Sequence, residues 1–68
     1  MFTGDVEAGW VVFRNASTGV AIGRVQPPSG LAKSVRVEGT EAIIDTTGGR
    51  ELWSLVGTLG PTFIRRVP

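Results

Sequence analysis

Ten glycines and four prolines cut this 68-residue chain into apolar runs of four residues or fewer. That punctuation constrains the fold more than any other feature. An amphipathic helix needs a 3.6-residue apolar period held over several turns, and no stretch here holds one beyond two turns. Short strands joined by turns need what the chain has: brief runs of Val, Ile and Thr bounded by Gly, Pro, Asn and Asp. The pattern predicts a single all-β domain over residues 1–68. Five or six short strands would form a small antiparallel barrel, closed or half-open, or a compact sandwich.

Individual segments sharpen this expectation. Trp10-Val11-Val12-Phe13-Arg14 is apolar on both faces, so it predicts a strand covered on both sides. Asn15 to Gly19 is a turn. Val20 to Val25 is the next strand, where Gly23 marks a bulge or a close backbone approach. Gln26-Pro27-Pro28-Ser29-Gly30 must break the sheet, because proline donates no ladder hydrogen bond. From Leu31 to Glu38 the chain is extended again, with Val35 and Val37 facing away from Ser34, Arg36 and Glu38. Glu38-Gly39-Thr40-Glu41 predicts a tight hairpin turn into Ala42–Thr46, and Thr47-Gly48-Gly49-Arg50 turns once more.

Residues 50–56 read two ways. Leu52, Leu55 and Val56 fit one face of a short helical turn, with Gly57 as its stop. Leu52, Ser54 and Val56 also alternate with Trp53 and Leu55 as in a strand. Gly57 to Pro61 reads as a turn or irregular link, and Thr62 to Val67 as a last strand. Segments 1–9 and 62–68 are candidate terminal arms, and the first also reads as a short edge strand.

A domain this small buries only roughly 60% of its unfolded surface. Chains of this size usually add a disulfide, a metal or a partner subunit. With no Cys and no His, a disulfide and a Cys/His zinc site are excluded, which leaves association. The same absences, with no Tyr, remove three common catalytic side chains. No enzyme activity and no cofactor are therefore expected.

The remaining motifs are weak. Glu41 and Asp45 could converge as an acid pair, although surface carboxylates are ordinary. Asp5 and Glu7 share a face if extended, but a calcium loop needs more oxygens. Gly48-Gly49-Arg50 and Gly57-Thr58-Leu59-Gly60 lack the endings of phosphate-binding loops and read as turns. Asn15-Ala16-Ser17 is a formal glycosylation triplet, yet Met1 to Asp5 shows no secretion signal. No apolar stretch approaches the ~20 residues of a membrane helix. No membrane partner is expected, and the expected location is a virion or the cytoplasm.

Two functions of different classes follow. Net charge is +1, only 19% of residues are charged and 41% are apolar, so part of the surface should be covered by something else. The first reading is a structural module that self-associates as a homo-oligomer or docks on a larger protein assembly such as a capsid. Its size and composition are similar to those of bacteriophage virion accessory proteins, in capsid decoration or tails. Candidate docking residues are Phe2, Phe63 and Ile64 in the terminal segments, with Pro27 and Pro28 on a rim loop.

The second reading is a small β-barrel that binds nucleic acid, with Arg24, Lys33, Arg36, Arg65 and Arg66 on phosphates. Trp10, Phe13, Trp53 and Phe63 would be its stacking residues. Near-balanced charge speaks against it, and aromatics inside apolar runs read as core. Val11-Val12-Phe13-Arg14-Asn15-Ala16 through Gly19-Val20-Ala21-Ile22-Gly23 resembles the opening hairpin of the tryptophan-responsive RNA-binding attenuation proteins, whose small β-subunits form rings. The resemblance covers under a quarter of the chain. Its central strands have no counterpart before Val35-Arg36-Val37-Glu38-Gly39, and no binding residue is carried over. It implies a ring or another β-oligomer.

Overall fold

Seven strands form in the computed structural model, which describes residues 1–56 and 60–68. They are β1 (Phe2–Glu7), β2 (Trp10–Asn15), β3 (Ala21–Val25), β4 (Ala32–Glu38), β5 (Glu41–Thr46), β6 (Gly49–Ser54) and β7 (Thr62–Val67). They make two antiparallel sheets, ordered β1-β2-β3 and β4-β5-β6-β7. The count is thus seven rather than five or six, and the described residues form two separate sheets rather than a closed barrel. The strand hardest to read in the sequence is β1. It pairs with β2 from Phe2 opposite Asn15 to Glu7 opposite Trp10. Phe2, Gly4 and Val6 face inward while Thr3, Asp5 and Glu7 are exposed, an alternation blurred by the glycine at its centre.

Residues 50–56 hold no helical turn: Gly49–Ser54 is strand β6. The reason is visible on its partners. Ile43 opposes Leu52 on β5, and Arg65 opposes Leu52 on β7. Ladder bonds on both sides satisfy more backbone than one isolated helical turn can. The proposed stop at Gly57, and most of the link from Gly57 to Pro61, lie outside the described residues.

The core sits between the sheets. Val11 and Phe13 of β2 meet Ala32, Ala42, Ile44, Trp53 and Leu55 from the second sheet and its borders. Phe2, Val6, Ile22, Val25, Val35 and Val37 pack around them. The expected double burial of β2 is present, since Val11, Val12 and Phe13 are all buried. Gly4 lets β1 close on β4: a Cβ there would stand 3.1 Å from Val35 Cγ2 and 3.2 Å from the Phe13 ring. The Cα radius of gyration is 10.7 Å, against about 11 Å for a compact chain of this length. One copy therefore closes around its own core.

Turn chemistry sets the connections. Ala8 (φ 52°) and Gly9 (φ 85°) both take positive φ between β1 and β2, the pattern of a type I′ hairpin turn. Asn15 organises the next turn, its Oδ1 accepting from the Ser17 amide at 2.8 Å. Gly23 does what its position predicts. The register shifts between Phe13 and Arg14, opposite Gly23 and Ala21, and a Cβ on Gly23 would lie 2.7 Å from Pro61 Cδ. The Gly39-Thr40 hairpin joins Glu38 to Glu41 as expected. Among the described residues no helix is long and apolar enough to cross a membrane.

Candidate docking edge

Register sorts the second sheet into cross-strand rows. Val35, Ile44, Glu51 and Arg66 form one inward row, and Val37, Ala42, Trp53 and Phe63 form the next. Outward rows are Arg36, Ile43, Leu52 and Arg65, then Ser34, Asp45, Arg50 and Val67, then Glu38, Glu41, Ser54 and Thr62.

One inward residue breaks the apolar pattern. Glu51 is fully buried. Its Oε1 accepts from Trp53 Nε1 at 2.8 Å, and its Oε2 accepts from the Ser29 amide at 2.7 Å. Arg66 Nε in turn donates to Ser29 Oγ at 3.0 Å. A buried carboxylate must be hydrogen-bonded to be tolerated, and here it ties the Pro27–Gly30 loop to β6 and β7. The loop sits so close to the β5–β6 turn that a Cβ on Gly48 would collide with the Ser29 carbonyl. Sequence reading missed this cluster. The available signal was an acidic residue at an inward position between Leu52 and a turn, which only the strand register reveals.

The outer edge of β7 is open. β7 is an edge strand, and every residue from Thr62 to Arg66 is exposed. Phe63 is 38% and Ile64 44% accessible. Phe63 packs edge-on against Trp53, with ring centroids 5.8 Å apart. A register shift between Leu52 and Trp53 puts Ile64 in a bulge. Of the other candidate docking residues, Pro28 is exposed, Pro27 is buried, and Phe2 is half-buried against the core. Pro27 and Phe2 are therefore covered by the chain itself, because β1 packs onto the core and the Pro27–Gly30 loop lies against Glu51 and the β5–β6 turn.

The five candidate phosphate contacts do not gather. Arg24 lies on the first sheet with its guanidinium 4.5 Å from the Trp10 ring centroid, a cation–π contact. Arg36 and Arg65 share an outward row but stand on β4 and β7, three strand spacings or about 14 Å apart. Lys33 sits at the register shift that opens β4. Arg66 is inward, on Ser29. Acids are interleaved throughout: Arg36 pairs with Glu38, and Arg50 with Asp45 at 2.7 Å. Arg50 and Ser34 both donate to Asp45 and hold its carboxyl below the usual range.

A shallow depression of about 480 Å³ lies beside that pair, lined by Lys33, Ser34, Asp45, Thr46, Gly49, Arg50, Val67 and Pro68. It is open to solvent and contains one carboxylate already bound to Arg50. Glu41 and Asp45 do not converge. They are four residues apart on one strand, about 13 Å at strand rise, and Glu41 faces Glu38 instead. Asp5 and Glu7 do share the exposed face of β1. Among the described residues no group of three or more carboxylates could hold a metal ion. Of the candidate stacking rings, Phe13 and Trp53 are buried in the core.

No family model matches the chain, and neither the curated proteins nor the solved structures contain a significant match.

Proposed function

We propose that this chain is a non-enzymatic assembly module that works by docking, on copies of itself or on a larger protein lattice, of which a bacteriophage capsid or tail is the form its size suggests. The supporting observation is β7, a strand edge unpaired among the described residues and bearing exposed Phe63 and Ile64. Edges of this kind template pairing with another chain unless they are covered. Loss of Phe2 and Pro27 to internal packing narrows the docking surface to β7 and the Pro28 rim.

Nucleic-acid binding is the weaker reading. Its five cations are divided between the two sheets and interleaved with carboxylates, so their field does not sum along one path. Light scattering from micromolar to millimolar concentration tests the choice. The expected result is a mass that rises above the 7.2 kDa monomer. A monomer at every concentration that is retained on oligonucleotide at low salt and released as salt rises overturns the proposal.

A further inference from the structure

The charge on β7 says what kind of strand it accepts. Thr62-Phe63-Ile64-Arg65-Arg66-Val67 contains two cations and no acid. Arg66 is engaged by Ser29. Arg65 is exposed and, among the described residues, forms no ion pair. It lies on the outward face beside Leu52. The charge of Arg65 weighs against pairing of β7 with its own copy. Two β7 strands side by side would bring two exposed Arg65 guanidinium groups onto one face of a short ribbon, and like charges opposed across strands are unfavourable. Of the two end strands of the first sheet, β3 carries Arg24 and no acid either, while β1 is already packed against β4 through Gly4 and Val35, so neither edge supplies the missing charge.

We infer that β7 takes an extended acidic segment of a partner protein as an added strand. Backbone groups of the partner pair along Thr62–Val67, its apolar side chains cover Phe63 and Ile64, and a carboxylate meets Arg65. Strand addition of this kind draws affinity from main-chain hydrogen bonds and specificity from alternate side chains. Repulsion disfavours a second β7, leaving pairing between copies to high concentration, while attraction favours the acidic strand, so Arg65 contributes to both selections. The inference rests on the docking reading above and names the partner for one edge.

The test is a titration of isotope-labelled protein with a short peptide alternating Val and Glu, and separately with one alternating Val and Lys, followed by amide chemical shifts. The expected result is perturbation centred on Thr62–Val67 by the Glu peptide alone, weakening as salt rises. Arg65→Glu should weaken the Glu peptide by about tenfold, the size of reversing one exposed charge pair, and Arg65→Gln by less. Unchanged shifts in β4 and β5 show that each variant is folded. Equal response to both peptides, response away from β7, or none to either overturns the inference. Self-association on light scattering with no peptide response at β7 keeps the docking reading and removes this partner for the edge.

Discussion

The second sheet ends differently on its two sides. At β4 the edge is pressed against β1, with Gly4 giving Val35 and the Phe13 ring room to approach. Ala32 closes the corner by donating its amide to the Gly9 carbonyl at 2.8 Å. At β7 the edge is held by its ladder to β6, by Phe63 on Trp53 and by Arg66 on Ser29, and its outer side faces solvent. The two flanks divide the limited apolar surface of this small domain unequally. One flank is closed by the chain itself, and the other keeps two large apolar side chains outside. Strand addition at β7 would complete what β1 completes at β4.

The sharpest ways to break that comparison lie away from the open edge, in the shared core and under the Pro27–Gly30 loop. Phe13→Ala removes the ring that both sheets share and should cost about 4 kcal/mol, enough to unfold much of a marginal domain; urea denaturation measures it. Glu51→Ala strips the acceptor from the buried Trp53 Nε1 and the partly buried Ser29 amide and should cost about 3 kcal/mol. Glu51→Gln keeps one acceptor oxygen and should cost less. Gly48→Ala drives a methyl into the Ser29 carbonyl and should cost about 2 kcal/mol. A Gly48→Ala protein as stable as wild type would show that the loop is not pressed onto the β5–β6 turn.

The open flank should respond far less. Phe63→Ala loses a half-exposed ring and one edge-on aromatic contact, so it should cost about 1 kcal/mol or less while weakening association. If Phe63→Ala proves as damaging as Phe13→Ala, β7 belongs to the core and the contrast fails. The smallest effect concerns Asp45. Its carboxyl is depressed by Arg50 and Ser34, so the folded state binds a proton less readily than the unfolded state. Stability from this group is present above the ordinary carboxylate pKa and is lost as pH falls through the folded value. Asp45→Asn should flatten that acid limb slightly and leave stability at neutral pH little changed, as measured by thermal melts across pH.

Much of this fold was legible in the sequence for physical reasons. Trp10–Phe13 advertised double burial because both faces were apolar, and Val35 and Val37 alternated cleanly against charges. Gly23 sat where a side chain would meet Pro61. Residues 50–56 were not legible, because the inward position at 51 is filled by a carboxylate that mimics a polar surface. Its burial depends on Ser29 and Trp53, and Ser29 lies 22 positions away. The same non-local packing hid the fates of Pro27 and Phe2, whose apolar character fits a docking rim and an interior equally well. For the candidate site, Phe63 and Ile64 were visible as apolar residues in a terminal strand. The partition of the five cations was not visible, since which sheet each joins depends on a register that no local pattern reports.

Amide hydrogen exchange on the dilute monomer tests most directly whether one flank is closed and the other open. Slow exchange is expected along β5, intermediate exchange in β4, and the fastest exchange of any second-sheet strand in β7, with β7 becoming protected when a partner strand is added. Protection of Thr62–Val67 equal to that of β5 in the isolated monomer would contradict that expectation.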